Sequence, residues 1–317
     1  MGAAGVIVQS CDDPPVVRDL APGEAATFGR GSPYAPVDIM LPDAAISRVA
    51  GRILAVEDHW LVSNLSTRST YDIENPEGGG EFVTTNVVGT QVLLDAIRRR
   101  PVERFILFSS SEVYGTALSA PMDEEHPLNP RSPYAATKAG ADRLAYSYWV
   151  TYDLPIVIVR PFNNYGPYQH PEKVVPRFIT QALRNEPLTV HGDGHASRDW
   201  VFVDDVAEAV EAVIAADGSA VHGRVINLAT ARDLSVEAIA DMVLERLGKP
   251  KSLRVHTPER AGQVDRHIGS TDLAERLLGW RARTSFEEGL DRTIGWYNEN
   301  RAWWESPLRA ETSVYSS

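Results

Sequence analysis

The sequence predicts an α/β fold built from two segments with different residue patterns. Up to about residue 82, short apolar runs are separated by Pro, Gly and Asp, a pattern typical of β-strands joined by turns. From residue 83, apolar runs of strand length alternate with longer amphipathic stretches, which is typical of a parallel sheet with crossover helices. We therefore expect a β-rich domain at 1–82 and an α/β domain at 83–317.

The first segment is predicted to contain short strands. No stretch of useful length has apolar residues at helical spacing. Residues 75–80 read Asn-Pro-Glu-Gly-Gly-Gly, which indicates a turn or linker. The strands are predicted at 5–10, 25–28, 52–57 and 60–63.

The second segment is predicted to alternate helix and strand. Apolar residues spaced four apart predict an amphipathic helix over 84–99. The apolar runs 105–108 and 156–159 predict strands, and the stretch 133–151 predicts the helix that connects them. Further helices are predicted over 174–185, 203–215, 236–247 and 286–300.

Composition and charge limit the classes of partner. The net charge of -12 would repel a phosphate backbone, so nucleic acid is not expected. The single cysteine, Cys11, excludes an internal disulfide, and without a leader-like stretch the protein is expected to be cytoplasmic. No apolar run is long enough for a membrane helix, so no membrane association is expected. The histidines lack the spacing of zinc ligands, so no metal site is expected.

A tyrosine and a lysine stand one turn apart at the start of the helix predicted over 133–151. Tyr134 and Lys138 belong to Tyr-Ala-Ala-Thr-Lys. An ammonium near a phenol favours the phenolate and lowers its pKa, which makes the tyrosine usable as a general base. Surface packing is the alternative, because this spacing also occurs by chance. Serines at 109–111 follow the strand predicted at 105–108, at the sheet edge where open α/β folds bind ligands, and they favour an active site.

In order and spacing, several motifs resemble the extended short-chain dehydrogenase/reductase family, in its NAD-dependent nucleotide-sugar epimerase/dehydratase branch. The resemblance implies a partial Rossmann-type parallel sheet with a small substrate-binding lobe. The segment 163–173 looks most like the dTDP-glucose 4,6-dehydratases. The motifs are Asn-Val-Val-Gly-Thr at 86–90, Ser-Ser-Glu-Val-Tyr-Gly at 110–115, Ser-Pro-Tyr-Ala-Ala-Thr-Lys at 132–138, Arg-Pro-Phe-Asn-Asn-Tyr-Gly-Pro at 160–167 and Gly-Asp-Gly-His-Ala-Ser-Arg-Asp-Trp at 192–200.

The resemblance implies a set of catalytic roles. Tyr134 would take the proton of the sugar 4-hydroxyl as hydride leaves C4 for the nicotinamide of NAD. Lys138 would orient the nicotinamide ribose, and Ser110 would bind the same sugar hydroxyl. Glu112 would remove the C5 proton, as in the dehydratases, and a solvated loop acid is its alternative. Ser111 stands where the dTDP-glucose dehydratases carry an aspartic acid, so dehydratase, decarboxylase and epimerase all remain open.

Further positions are implied for cofactor and substrate. Ser109, together with Tyr134 and Lys138, would bind the NAD cofactor. For Arg198, a surface ion pair with Asp199 or Asp204 is the alternative. A homodimer formed by the helices over 86–99 and 134–151 is expected from the same resemblance. The nucleotide-sugar substrate would be held by Asn163, Asn164, Lys173, Arg198, Arg260 and Arg266.

The family's dinucleotide-binding turn, Gly-x-x-Gly-x-x-Gly, does not occur in this sequence, which leaves activity open. Residues 1–82 instead resemble a truncated forkhead-associated domain, a β-sandwich that binds phosphothreonine peptides. The resemblance is carried by Thr-Phe-Gly-Arg-Gly at 27–31 and by the segments 38–48 and 64–70, and it implies phosphate contacts from Arg30 and Ser47. The alternative function is therefore a phosphopeptide-binding module joined to a non-catalytic remnant.

Overall fold

A computed structural model gives the structure of the chain, which separates into two compact units, Met1–Glu81 and Phe82–Ser317. The first unit is described at the level of its strands, and the second over residues 82–258 and 264–305. Arg30, Ser47 and Arg260 lie outside the described residues. In the described part of the chain, no helix is long and apolar enough to cross a membrane.

The first unit contains two sheets. Strands β1 and β2 form an antiparallel pair, and the other four strands form a sheet in the order β4-β3-β5-β6. The predicted strands at 5–10, 25–28, 52–57 and 60–63 are confirmed to within a few residues, whereas β2 and β4 were not predicted. The strands are β1 Ala4–Val8, β2 Val16–Leu20, β3 Ala25–Gly29, β4 Ile39–Met40, β5 Gly51–Val56 and β6 His59–Asn64.

The second unit alternates helices and strands as predicted. The helix expected over 84–99 begins as a π-helix at Val83–Val88 and continues as α1, Gly89–Arg99. The other helices are α2 Pro133–Tyr152, α3 Val174–Leu183, α4 Val203–Ala215, α5 Gly218–Val221, α6 Val236–Arg246, α7 Asp272–Leu278 and α8 Phe286–Glu299. The strands are β7 Phe105–Phe108, β8 Ile156–Pro161, β9 Asn163–Tyr165, β10 Leu188–His191, β11 Ser197–Phe202, β12 Val225–Leu228, β13 Asp233–Ser235 and β14 Arg254–Thr257.

A parallel sheet in the order β12-β8-β7 positions the candidate site. The central strand β8 is buried at every residue, as expected for a strand covered on both faces. Phe108 pairs with Val159, and Asn227 pairs with Arg160. Because the strands are parallel, the segments that follow β7, β8 and β12 leave from the same edge of the sheet.

A second cluster of elements forms a small lobe. Its strands comprise the sheet β13-β11-β9 and the parallel pair β10 and β14. Phe178, Val243, Tyr297 and Trp304 belong to one buried core between these strands and helices α3, α6 and α8. The lobe therefore has an apolar core of its own.

Two glycines of α8 differ in what surrounds them. An added methyl group at Gly289 would clash with the Tyr165 hydroxyl and would lie 2.8 Å from Phe202 Cδ2, whereas nothing lies within 4 Å of one at Gly295. We predict that Gly289→Ala lowers the free energy of unfolding by about 1–3 kcal/mol through overpacking. Gly295→Ala is the matched control and should raise it by up to about 1 kcal/mol, because alanine favours helix. Chemical denaturation measures both, and equal effects would contradict the packing described for α8.

Candidate active site

The turn that follows β7 carries the predicted serines and Glu112. Residues Ser111–Tyr114 form a short 3-10 helix, and the Ser110 hydroxyl caps it by accepting a hydrogen bond from the Glu112 backbone N–H at 3.2 Å. Ser111 is 2% exposed, so its side chain lies inside the turn. The turn ends at Gly115, whose φ of +68° lies in the region that favours glycine. This local geometry fixes Glu112 at the edge of the sheet.

Lys138 connects helix α2 to the tip of β7. Ser132 caps the helix through its hydroxyl, which accepts from the Ala135 backbone N–H at 3.1 Å. Tyr134 and Lys138 follow on the first turns, and the Lys138 ammonium donates to the Phe108 carbonyl at 2.5 Å. Burial lowers the pKa of Lys138 to about 8, and the Asp142 carboxylate opposes part of that decrease. The ammonium form therefore prevails near neutral pH.

A buried ion pair between Asp142 and Arg160 joins helix α2 to strand β8. Arg160 Nε donates to Asp142 Oδ2 at 2.9 Å, and Arg160 Nη2 donates to Asp142 Oδ1 at 3.0 Å. Arg160 is 1% exposed and Asp142 is fully buried. Burial by itself would raise the pKa of Asp142, but the hydrogen bonds and charge of Arg160 bring it below its ordinary value. Asp142 is thus held as a carboxylate four residues after Lys138.

The ion pair extends into a hydrogen-bond network. Arg160 Nη1 donates to the Tyr114 hydroxyl at 2.8 Å, and that hydroxyl donates to Asn227 Oδ1 at 2.7 Å. Asn227 is buried in β12, where its backbone N–H donates to Glu124 Oε1 at 2.8 Å. Burial raises the pKa of Tyr114 to about 12, so its hydroxyl remains protonated and can donate. The network links helix α2 and strands β8 and β12 to the turn that carries Glu112.

Glu112 faces a buried histidine from the loop before α7. Glu112 Oε1 lies 3.9 Å from His267 Nδ1, and the Glu112 side chain is 24% exposed. The other ring nitrogen of His267, Nε2, lies 2.6 Å from the Gly115 carbonyl. Glu112 is therefore partly enclosed and partly exposed to solvent.

Three of the residues implied for the substrate, Asn163, Asn164 and Arg198, lie on strands of the lobe. Asn163 and Asn164 belong to β9, which runs parallel to β11, the strand that contains Arg198. Among the described residues, the side-chain oxygens of both asparagines are buried without a hydrogen-bond partner. Arg198 Nη1 donates to its neighbour's carbonyl at 3.0 Å. Unpaired buried acceptors of this kind are suited to a polar ligand.

Two further implied residues, Lys173 and Arg266, lie against acidic side chains. Arg266 donates to both carboxylate oxygens of Asp233, at 2.9 and 3.2 Å, and Lys173 lies 3.5 Å from Glu172 Oε1. The alternative partners of Arg198 bond elsewhere: Asp199 accepts from Thr230 and Gly269, and Asp204 accepts from Arg292.

The cofactor implied by the resemblance fits part of this site. The Ser109 hydroxyl is buried and makes no well-formed hydrogen bond in the described part of the chain, although it is close enough to Asp142 to lower the pKa of that carboxyl. It follows the Phe108 carbonyl that holds Lys138. A buried hydroxyl next to an ammonium provides polar groups suited to a ribose. The glycine turn for the cofactor pyrophosphate has no counterpart in the sequence.

Several residues of this site were missed from the sequence. Asp142 could have been found, because it lies one turn beyond Lys138 on the same helix face. Tyr114 and Arg160 belong to the motifs at 110–115 and 160–167, but the sequence predicted no role for them. Asn227 and His267 are far in sequence from the residues that they contact, so no local motif predicted their part in the site.

Comparison with known proteins shows the family to which the chain belongs. The family model for GDP-mannose 4,6 dehydratase matches residues 52–293. The chain belongs to this family. The dTDP-glucose 4,6-dehydratase of Streptomyces niveus is 40% identical over 236 residues, 74% of this chain and 69% of the relative. That of Streptomyces antibioticus is 36% identical over 306 residues, 96% of this chain and 83% of the relative.

Solved structures agree with the family assignment. DesIV, a dTDP-glucose 4,6-dehydratase from Streptomyces venezuelae solved with NAD, has a TM-score of 0.71 and 39% identity, covering 75% of this chain and 73% of its own. The UDP-glucuronic acid 4-epimerase of Bacillus cereus, also solved with NAD, has a TM-score of 0.67 and 30% identity. The match covers 73% of this chain and 71% of the epimerase chain.

These matches confirm the resemblance to NAD-dependent nucleotide-sugar dehydratases and epimerases, together with the Rossmann-type α/β fold. They also confirm NAD as the cofactor of the solved relatives. The forkhead-associated alternative receives no support from them. The family match begins at residue 52, inside the first unit and upstream of the expected boundary at 82/83.

Proposed function

We propose that the protein is an NAD-dependent enzyme that oxidises a nucleoside-diphosphate hexose at C4 and then dehydrates it across C5 and C6. The observation that supports this proposal is the set of groups at one strand tip: the Lys138 ammonium on the Phe108 carbonyl, followed in the chain by Ser110 and Glu112. Tyr134 lies one helical turn before Lys138. The solved and curated relatives named as 4,6-dehydratases have the same overall fold or sequence pattern.

The first step needs a base for the sugar 4-hydroxyl. Tyr134 takes that proton, and the neighbouring ammonium of Lys138 stabilises the phenolate that makes this possible. In this proposal Ser110 donates a hydrogen bond to the same hydroxyl oxygen. NAD, when bound, supplies the hydride acceptor, and Ser109, Tyr134 and Lys138 are the residues that would meet its nicotinamide ribose.

The second step needs a base for C5, whose acidity rises once C4 is a ketone. Glu112 carries the only carboxylate of the turn Ser111–Tyr114 and is partly exposed. Its position favours dehydration over simple epimerisation. Epimerisation at C4 is the second candidate, since the B. cereus 4-epimerase is also similar to this chain. With Ser111 buried, the dehydration would proceed without the aspartic acid that the dTDP-glucose dehydratases carry at that position.

The substrate's diphosphate is proposed to lie against the lobe. Asn164 and Arg198 are on adjacent parallel strands, and the planar guanidinium of an arginine can pair with two phosphate oxygens. Asn163, Lys173, Arg260 and Arg266 are proposed to complete the site. A nucleotide sugar would displace or share the contact between Arg266 and Asp233.

The domain assignment, the cytoplasmic location and the phosphopeptide alternative remain predictions from the sequence. We propose that 83–317 is the catalytic strand and helix with the nucleotide-sugar lobe. The phosphopeptide residues Arg30 and Ser47 have no supporting observation.

A homodimer is proposed from an apolar face on α1 and α2. Val92 and Val150 are each 60% exposed, and Leu93 and Tyr146 add further exposed apolar area on the same two helices. Apolar surface of this kind is stabilised when a second copy covers it. We predict that Val92→Asp with Val150→Asp converts a dimer to a monomer in sedimentation experiments, whereas Leu118→Asp, at another exposed apolar residue, does not. A monomeric starting protein would contradict the proposal.

Replacement of the proposed base tests the function directly. We predict that Tyr134→Phe lowers turnover by about 10²–10⁴-fold, the usual contribution of a general base, with folding unchanged. The matched control is Tyr146→Phe, which removes the hydroxyl of an exposed tyrosine on the same helix and should retain activity. Product analysis by NMR after incubation with NAD and dTDP-glucose, UDP-glucose, UDP-glucuronate or GDP-mannose provides the measurement. Undiminished C4 oxidation in Tyr134→Phe would refute the assignment.

A further inference from the structure

His267 is a buried histidine that the proposed reaction leaves without a role. Its side chain is fully buried between the Glu112 turn and the lobe. Its backbone N–H donates to the Ser197 carbonyl of β11 at 3.0 Å, and its ring packs on Phe162 at 5.9 Å between centroids. The imidazole is therefore held in one place by the lobe, while both of its nitrogens face the turn that carries Glu112.

The contacts of the ring define its tautomer. The Gly115 carbonyl can only accept, so Nε2, at 2.6 Å from it, carries a proton and donates. Burial lowers the pKa of His267, with nearby Arg198 and His126 acting in the same direction and Glu112 opposing them. The ring is therefore neutral near physiological pH. Its Nδ1 presents a lone pair.

The acidic side chain that faces this lone pair is Glu112. Nδ1 is buried without a hydrogen-bond partner in the described part of the chain, and Glu112 Oε1 lies 3.9 Å away. A lone pair and a carboxylate repel each other, whereas a lone pair and a carboxylic acid form a hydrogen bond. A small rotation of the partly exposed Glu112 side chain would close the gap. The arrangement thus suits Glu112 after it has gained a proton.

We propose that His267 is a positioning residue that accepts a hydrogen bond from Glu112 once Glu112 has taken the C5 proton. This inference rests on the proposed function. In that step the C5–H bond breaks, its electron pair enters the enolate conjugated with the C4 ketone, and the proton moves to a Glu112 carboxylate oxygen. No further oxidant is needed, because the ketone already exists. The new O–H of Glu112 then points to Nδ1, which holds the acid beside the sugar.

Two variants separate this role from simple anchoring of the turn. In His267→Gln, the amide nitrogen replaces Nε2 and can still donate to Gly115, but the acceptor at Nδ1 is lost. In His267→Asn, the amide falls near the position of Nδ1 and can accept, while the contact with Gly115 is lost. An anchoring role alone predicts that the asparagine variant is the weaker enzyme, and our proposal predicts the reverse for the C5 step.

The measurement uses the full chain with NAD and the nucleotide sugar that it turns over. Deuterium uptake from solvent at C5 reports proton removal, and the near-ultraviolet absorbance of reduced nicotinamide reports C4 oxidation. We expect His267→Gln to slow C5 exchange by about ten- to a hundredfold, the range for one hydrogen bond to a reacting group, and to accumulate reduced nicotinamide. His267→Asn should retain faster exchange. Wild-type exchange in His267→Gln, or an equal loss of C4 oxidation, would overturn the proposal.

A second measurement does not depend on turnover. Nitrogen NMR of the folded wild-type chain should show His267 with its proton on Nε2. In Glu112→Gln, the amide N–H can donate to Nδ1, so the Nδ1 resonance should shift. A proton on Nδ1, or no response to Glu112→Gln, would overturn the inference even if the chain proved inactive on every nucleotide sugar. Inactivity accompanied by the expected spectra would instead reject the proposed function.

Discussion

The Asp142–Arg160 ion pair is the interaction on which the rest of the site depends. Both partners are buried, and their two hydrogen bonds join helix α2 to the central strand β8. A buried charge without its partner is costly, so each residue fixes the position of the other. Through Tyr114 and Asn227 the same pair reaches the Glu112 turn and strand β12. Helix α2, strands β8 and β12 and the Glu112 turn are therefore connected through buried side chains.

This arrangement also accounts for the electrostatics at the edge of the sheet. Lys138 donates to the Phe108 carbonyl, in surroundings whose burial lowers its pKa to about 8. The negative charge of Asp142 opposes that decrease in pKa but is outweighed by the burial of Lys138. The result is a lysine that is charged near neutral pH and close to the residues proposed to meet the sugar and the nicotinamide ribose. Glu112, in the turn that follows β7, faces the neutral imidazole of His267 instead of a cation.

Much of this unit follows from local sequence. The apolar run at Phe105–Phe108 and the capped start of α2 at Ser132 set both elements, so the strand edge and the Tyr134–Lys138 spacing were predictable. The π-helical start at Val83–Val88 was not predictable from local sequence. It accompanies a tertiary contact in which the buried Asn86 amide donates to the Thr137 hydroxyl at 2.9 Å. Asn227 and His267 were missed for the same reason: their partners are more than a hundred residues away in the chain.

A double-mutant cycle on the ion pair tests the central claim most directly. The free energy of unfolding of the second unit is measured for Arg160→Met, Asp142→Asn and the double variant. Each single change should cost about 3–5 kcal/mol, and the double variant should lose much less than the sum, because no buried charge is left unpaired. Small, additive losses would show that the site is held together by something other than this pair.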